Sequence, residues 1–103
     1  MKITNTISSM YLAEAIVEQA AYDYLVIKKD LYKIDCNAFE RKVKNIELTK
    51  RKLKMELQDV IRFFESDWYQ GLTSLGHERL ISKLDKRFEE WKEEFNRLRE
   101  TGT

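Results

Sequence analysis

The segment FERKVKNIELTKRKLKMELQDVIRFF, residues 39–64, decides how this chain folds. Phe39, Val43, Ile46, Lys50, Leu53, Leu57, Val60 and Phe64 follow one another at alternating steps of four and three. That spacing keeps one stripe on one face of an α-helix, and a heptad seam of this length packs on another helix. Lys50 is its only polar member. A lysine at such a position lays its stem along the apolar seam and sends its ammonium to water or to a carboxylate. Leu48, Met55, Ile61 and Phe63 widen the apolar face, so the helix is expected to meet more than one neighbour. The seam fits antiparallel packing on a preceding helix, within the chain or across a homodimer.

Upstream, Leu12, Ile16, Ala20, Tyr24, Ile27, Leu31 and Ile34 recur at steps of three and four, and Ser8 or Ser9 can cap them. This predicts a first helix over about 9–34. IDCN follows, where Asn37 and Glu40 form an asparagine version of a capping box and start the second helix, about 38–65. The pattern breaks from Asp67. Gly71 and Gly76 bracket LTSL, and glycine supplies the left-handed residue that closes many helices. The expectation is a short helix over about 66–75 closed by Gly76. A last helix over about 77–100 turns Leu80, Leu84, Phe88, Trp91, Phe95 and Leu98 inward, with dense Glu, Lys and Arg outside. The fold class is therefore all-α: one domain over 1–103, a small bundle of three main helices and a short corner helix.

Composition agrees with this. The chain has 103 residues, no proline, three glycines and 36% charged side chains, the profile of a helical chain with little sheet. Nineteen basic residues against eighteen acidic ones name no partner by net charge. Cys36 is the single cysteine, which excludes an internal disulfide and a cysteine-based structural zinc site and suits a reducing cytoplasm. The first residues carry no uninterrupted apolar core of a signal peptide, and no apolar run reaches the roughly 20 residues that span a membrane.

Catalysis by histidine or cysteine needs a nucleophile and a base side by side. The chain offers His77 and Cys36, one of each, far apart in sequence, and the reading is not an enzyme. His77, directly after Gly76, falls in the exposed first turn of the last helix. It makes no HExxH motif with Glu78, and one histidine cannot complete the Glu-x-x-His pairs of a two-metal bundle. No metal and no cofactor are expected.

Charge is most uneven in RKVKNIELTKRKLK, residues 41–54, where seven basic residues face Glu47 alone. Arg41, Lys42, Lys44, Arg51, Lys52 and Lys54 project away from the seam. Such a face solubilises a helix, meets acidic neighbours, or tracks a phosphate backbone. The chain has no tight helix-turn-helix and no aromatic residues among these lysines to stack on bases, so sequence-specific DNA reading is not supported. Glu89, Glu90, Glu93 and Glu94 flank Trp91 and Phe95, either as a solvated face or as an acidic surface for a basic protein. Tyr11, Tyr22, Tyr24 and Tyr32, with Trp68 and Tyr69 at the corner, exceed what a core requires. Tyr24 lies in the stripe and Tyr22 and Tyr32 off it, which leaves packing and a partner surface both open. The exposed candidates at the corner are Tyr69 and His77.

The stretch VIRFFESDWYQGLTSLGHERLISKL, residues 60–84, resembles a family of small helical proteins carried by prophages and mobile elements of low-GC Gram-positive bacteria. The family's pattern is an aromatic pair, S-x-W, L-T-x-L and L-I-x-K-L. The matching residues are Phe63, Phe64, Ser66, Trp68, Leu72, Thr73, Leu75, Leu80, Ile81, Lys83 and Leu84. LAEAIVEQAAYDY, residues 12–24, is similar to the family's opening helix. The Gly-Glu pair usual at the family's corner is here Gly76, His77, Glu78, and the basic start of helix two and DKRFEEWKEEFNRLRE have no counterpart. The resemblance implies a phage or mobile-element accessory protein of the bacterial cytoplasm. By analogy with its setting, such a protein binds and disables a host protein, a CRISPR–Cas or other defence nuclease among them. The alternatives are a nucleic-acid-associated helical protein using the basic face, and a structural subunit of a phage assembly.

Overall fold

The computed structural model describes residues 2–36 and 45–101, with side chains over 13–36 and 45–100. It is all-α: α1 (Lys2–Asp35), α2 (Ile46–Phe64), α3 (Asp67–Leu72) and α4 (His77–Thr101), with no strand among the described residues.

α1 begins at Lys2, seven residues before the expected start, so Ser8 and Ser9 lie within the helix rather than at its N-cap. The physical reason is that TNTISS holds no glycine or proline. Its Thr, Asn and Ser residues each cost only a few tenths of a kcal/mol in a helix, too little to stop one. α2 departs in the other direction. Its N-cap is Asn45, in extended conformation, whose side-chain oxygen accepts from the Leu48 N–H at 3.0 Å. A continuous helix from 38 is thereby excluded. The box predicted at Asn37 and Glu40, and the seam residues Phe39 and Val43, lie outside the described residues.

The corner is built by hydroxyls rather than by glycine. Ser66 caps α3: its Oγ accepts from the Tyr69 N–H at 3.2 Å and donates to the Phe63 carbonyl at 2.6 Å, joining the end of α2 to the start of α3. Gly71 sits inside α3, which ends at Thr73 in extended conformation. Gly76 does not take a left-handed conformation and so does not close α3. Its carbonyl accepts from the Leu80 N–H at 3.1 Å, which makes it the first residue of the α4 ladder.

α1 is the axis on which the others pack. α2 runs antiparallel to it: Lys50 meets Asp35 at one end, and Phe64 meets Tyr24 at the other, ring centroids 6.1 Å apart. α4 runs parallel to α1, with Asp85 opposite Tyr24 and Lys28, Asn96 opposite Tyr32, and Arg99 reaching the Cys36 carbonyl. α2 and α4 each pack mainly on α1 and meet each other through side chains of the shared core, Phe64 from α2 and Leu84 from α4. The molecule measures 57 × 29 × 25 Å with a radius of gyration of 17.0 Å. A compact chain of this length has about 13 Å. The excess follows from α1, whose 34 residues extend about 51 Å at 1.5 Å each.

The core is small and sits where all four helices converge. Tyr24, Phe64, Tyr69 and Leu84 are buried together, with Val17, Ala20, Leu57, Val60, Leu80 and Ile81 packed around them. Phe64 and Tyr69 are fully buried, edge to face at 5.7 Å. Ile61 and Phe63 join this core as expected. Leu48 and Met55 do not widen the buried face; both are exposed, because they point away from the α1 seam. Leu98 is exposed as well, since it lies at the far end of α4, level with the last residues of α1.

Two substitutions test this core in urea denaturation. Phe64→Ala empties a fully buried aromatic site and is expected to lower stability by about 3–5 kcal/mol. Tyr69→Phe removes a buried hydroxyl that has no hydrogen-bond partner, so stability should stay level or rise by about 1 kcal/mol. A loss on Tyr69→Phe would mean that the hydroxyl is partnered.

Candidate interaction surfaces

A polar node beside the core is centred on Asp85. Its Oδ1 accepts from the Tyr24 hydroxyl at 2.5 Å and from Lys28 Nζ at 2.8 Å. Burial works against ionisation of Asp85, but the two donors and the Lys28 charge outweigh it and hold the carboxyl below its ordinary value. Tyr24 is displaced the opposite way: burial first, then the bond to Asp85 and its negative charge, push the phenol well above its ordinary range. The arrangement locks α4 to α1, and it leaves neither group set up to exchange protons near neutrality.

Beside this node a cleft of about 460 Å³ is lined by Glu65, His77, Glu78, Ile81, Ser82 and Asp85. His77 is half-buried in the first turn of α4 rather than exposed, since it lines this cleft together with Glu65, just past the end of α2. Cys36 is half-buried at the other end of the molecule and does not approach His77. No group of three or more His, Cys, Asp or Glu among the described residues could hold a metal ion. No helix among them is long and apolar enough to cross a membrane.

Of the predicted basic face, Arg51, Lys52 and Lys54 are exposed on α2 and make no ion pair among the described residues. Arg41, Lys42 and Lys44 lie outside the described residues. Lys50 behaves as its seam position requires, reaching Asp35 Oδ1 at 2.7 Å, and this hydrogen bond raises its pKa. The acidic set is exposed throughout. Glu89 pairs with Lys92 and Glu94 with Arg97, while Glu90 and Glu93 face solvent.

Between these acidic residues and α1 runs an aromatic ladder. Trp91 stacks on Phe88 and on Phe95, with centroids 5.9 and 4.9 Å away, and Tyr32 meets all three edge-on. Tyr32 thus serves packing, its hydroxyl donating to Asn96 at 2.9 Å, whereas Tyr22 is exposed. Lys28, Lys29, Lys33, Lys92 and Arg99 lie over these rings at 4.7–6.0 Å, so the ladder is capped by cations belonging to the chain itself.

At the corner the expectation of an exposed Tyr69 fails. Tyr69 is 0% exposed and cannot meet a partner; Trp68 is 64% exposed. Capping by Ser66 sets the phase of α3, and successive helical residues point about 100° apart. Tyr69 therefore enters the core and Trp68 leaves it, braced edge-on against Phe63 at 5.8 Å. Trp68 and Phe63 form one wall of a groove of about 400 Å³ whose other wall is α1, through Ala15, Ile16, Gln19, Ala20 and Asp23. A second hollow of about 400 Å³ continues along the α1–α2 seam from Asp23 through Val26, Ile27 and Asp30 to Leu53, Glu56 and Val60. No spacing rule could have found this groove, because its walls lie about 30 to 50 residues apart. No protein-family model, curated protein or solved structure matches the chain.

The Asp85 node gives stability a defined pH profile. Asp85 has its folded pKa below the ordinary 3.8, so its contribution is complete above that value and is lost as pH falls through the folded pKa. Tyr24 has its folded pKa above the ordinary 10.0, so its contribution is complete below 10.0 and is lost as pH rises towards the folded value. Asp85→Asn should cost about 1 kcal/mol at neutral pH, the pair being partly exposed. In urea melts across pH, that gap should close below pH 3.8, while the alkaline loss persists because burial is its main cause. A gap that stays constant into strong acid would exclude the node as drawn.

Proposed function

We propose that this chain acts without catalysis, by binding another protein in the bacterial cytoplasm, as an accessory protein of phage or mobile-element type. Its effect would be occlusion: a surface that a host enzyme needs is covered, a CRISPR–Cas or other defence nuclease being the partner class that the family resemblance implies. The observation that carries the reading is Trp68, a large aromatic side chain 64% exposed at the mouth of an apolar groove. Tryptophan in such a setting is the residue type on which protein interfaces concentrate their energy. Tyr22, Leu48 and Met55 add exposed apolar area on a chain whose core is small.

A second reading rests on Arg51, Lys52 and Lys54, exposed and without carboxylate partners among the described residues, as contacts to nucleic-acid phosphates. Affinity capture with the tagged full chain from a lysate of a low-GC Gram-positive bacterium, read by mass spectrometry, separates the two. Protein binding predicts one captured protein in near-stoichiometric amount, with nuclease treatment leaving the yield unchanged. Phosphate binding predicts co-purifying nucleic acid, lost with a log–log salt slope of about −3 for three neutralised phosphates. Recovery of nucleic acid with no protein above background would overturn the first reading.

A further inference from the structure

α2 carries a second stripe, back to back with the seam that holds it to α1. Leu48 and Met55 stand seven residues apart, about 20° from one another around the helix, and nearly opposite Leu53 and Leu57, which face α1. They are 59% and 61% exposed, and the exposed Arg51 and Lys52 lie between them, one about 50° to each side of their line. Neither cation makes an ion pair among the described residues. The carboxylates of α2 leave this charge unanswered: Asp59 pairs with Arg62, and Glu47 and Glu56 lie on the flanks, about 90° from the line. Residues 37–44 lie outside the described residues and carry Arg41, Lys42 and Lys44 against Glu40 in sequence, so their charge has the same sign.

Two apolar positions one heptad apart, with a charged residue on each side, are the layout of a helix–helix seam, in which the flanks choose the partner by sign. A phosphate backbone would engage Arg51 and Lys52 but leave Leu48 and Met55 against a polar chain. A helix with apolar anchors at i and i+7 engages all four. We infer that the outer face of α2 binds an acidic amphipathic helix of a partner protein, its apolar anchors packed on Leu48 and Met55 and its carboxylates aligned with Arg51 and Lys52. Methionine, unbranched and polarisable, suits such an exposed anchor. The inference rests on the protein-binding reading and gives it a surface and a partner chemistry, separate from the Trp68 groove.

Three synthetic helical peptides test it, titrated into the isotopically labelled full chain and followed by amide NMR. The first has leucines seven apart flanked by glutamates, the second the same leucines flanked by lysines, and the third the same glutamates with glutamine in place of leucine. Short single- and double-stranded oligonucleotides are titrated in parallel. The first peptide should bind at least about tenfold more tightly than either of the others, with shifts centred on 47–56. Its excess over the third measures what Leu48 and Met55 add, which attraction between net charges cannot supply. Leu48→Ala with Met55→Ala, at exposed positions of a helix that alanine favours, should bring it down to the level of the third. Arg51→Glu with Lys52→Glu should weaken it about tenfold and turn the preference towards the lysine peptide, circular dichroism verifying that both variants fold. Equal binding of the first peptide and either control, shifts confined to the Trp68 groove, or tighter binding of an oligonucleotide through 47–56 would overturn the inference. So would a concentration-dependent dimer in light scattering that Leu48→Ala with Met55→Ala abolishes, since a second copy would then be the occupant. Protein binding by another face survives each of these failures, because lysate capture tests that reading without reference to α2.

Discussion

Tyr24 stands where α1 meets α2, α3 and α4 together, and it must satisfy two demands there. Its ring is 4% exposed and packs against Phe64 beside Tyr69 and Leu84, while its hydroxyl, on the same buried side chain, has to find an acceptor. Asp85 is that acceptor, and Lys28, one helical turn along α1, supplies the charge that keeps Asp85 ionised. The ring fixes α2 to α1 and the hydroxyl fixes α4 to α1. The Lys50–Asp35 pair and the packing of Tyr32 on the α4 aromatic residues extend the same two attachments along α1.

Because α2 and α4 each pack mainly on α1, the bundle is elongated along α1 and has two sides. The flanks have unlike surfaces. The α4 side is sealed by the aromatic ladder and its own lysines, which leaves little unsatisfied apolar area there. The α2 side is unfinished: its seam with α1 is a groove, Trp68 stands at the groove's end, and Leu48 and Met55 are exposed on the opposite face of α2. A protein whose function is recognition is expected to present such a side, whereas one built only for stability would bury it.

The fold class was legible in the spacing of apolar residues, since Ile27, Ile34, Phe64, Leu84 and Phe88 occupy their stripe positions and are buried. Helix ends were less so. Asn37 carries the fuller capping signature, with Glu40 three residues on, whereas Asn45 is followed there by Leu48 and caps α2 through its own side chain alone; Ser8 and Ser9 resemble caps but stand in a run that nothing stops. Tyr69 was misread as exposed because helical phase restarts at Ser66, and a six-residue helix is too short for apolar periodicity to say which of its side chains points inward. The Tyr24–Lys28–Asp85 node and the groove were invisible for a different reason: both join side chains some 30 to 60 positions apart, which only the packed chain brings together. Exposure of the acidic set and of Arg51, Lys52 and Lys54 was read correctly, because charged residues opposite an apolar stripe have nowhere else to go.

The central claim is that one junction around Tyr24 organises the whole chain, and native-state hydrogen exchange on the full-length protein tests it most directly. The account predicts that the slowest amides fall together near Tyr24, Phe64 and Leu84, share one opening free energy, and lose protection as a set in Phe64→Ala. Slow amides in α4 that keep their protection in Phe64→Ala would show that α1 and α4 form a separate unit, and would contradict it.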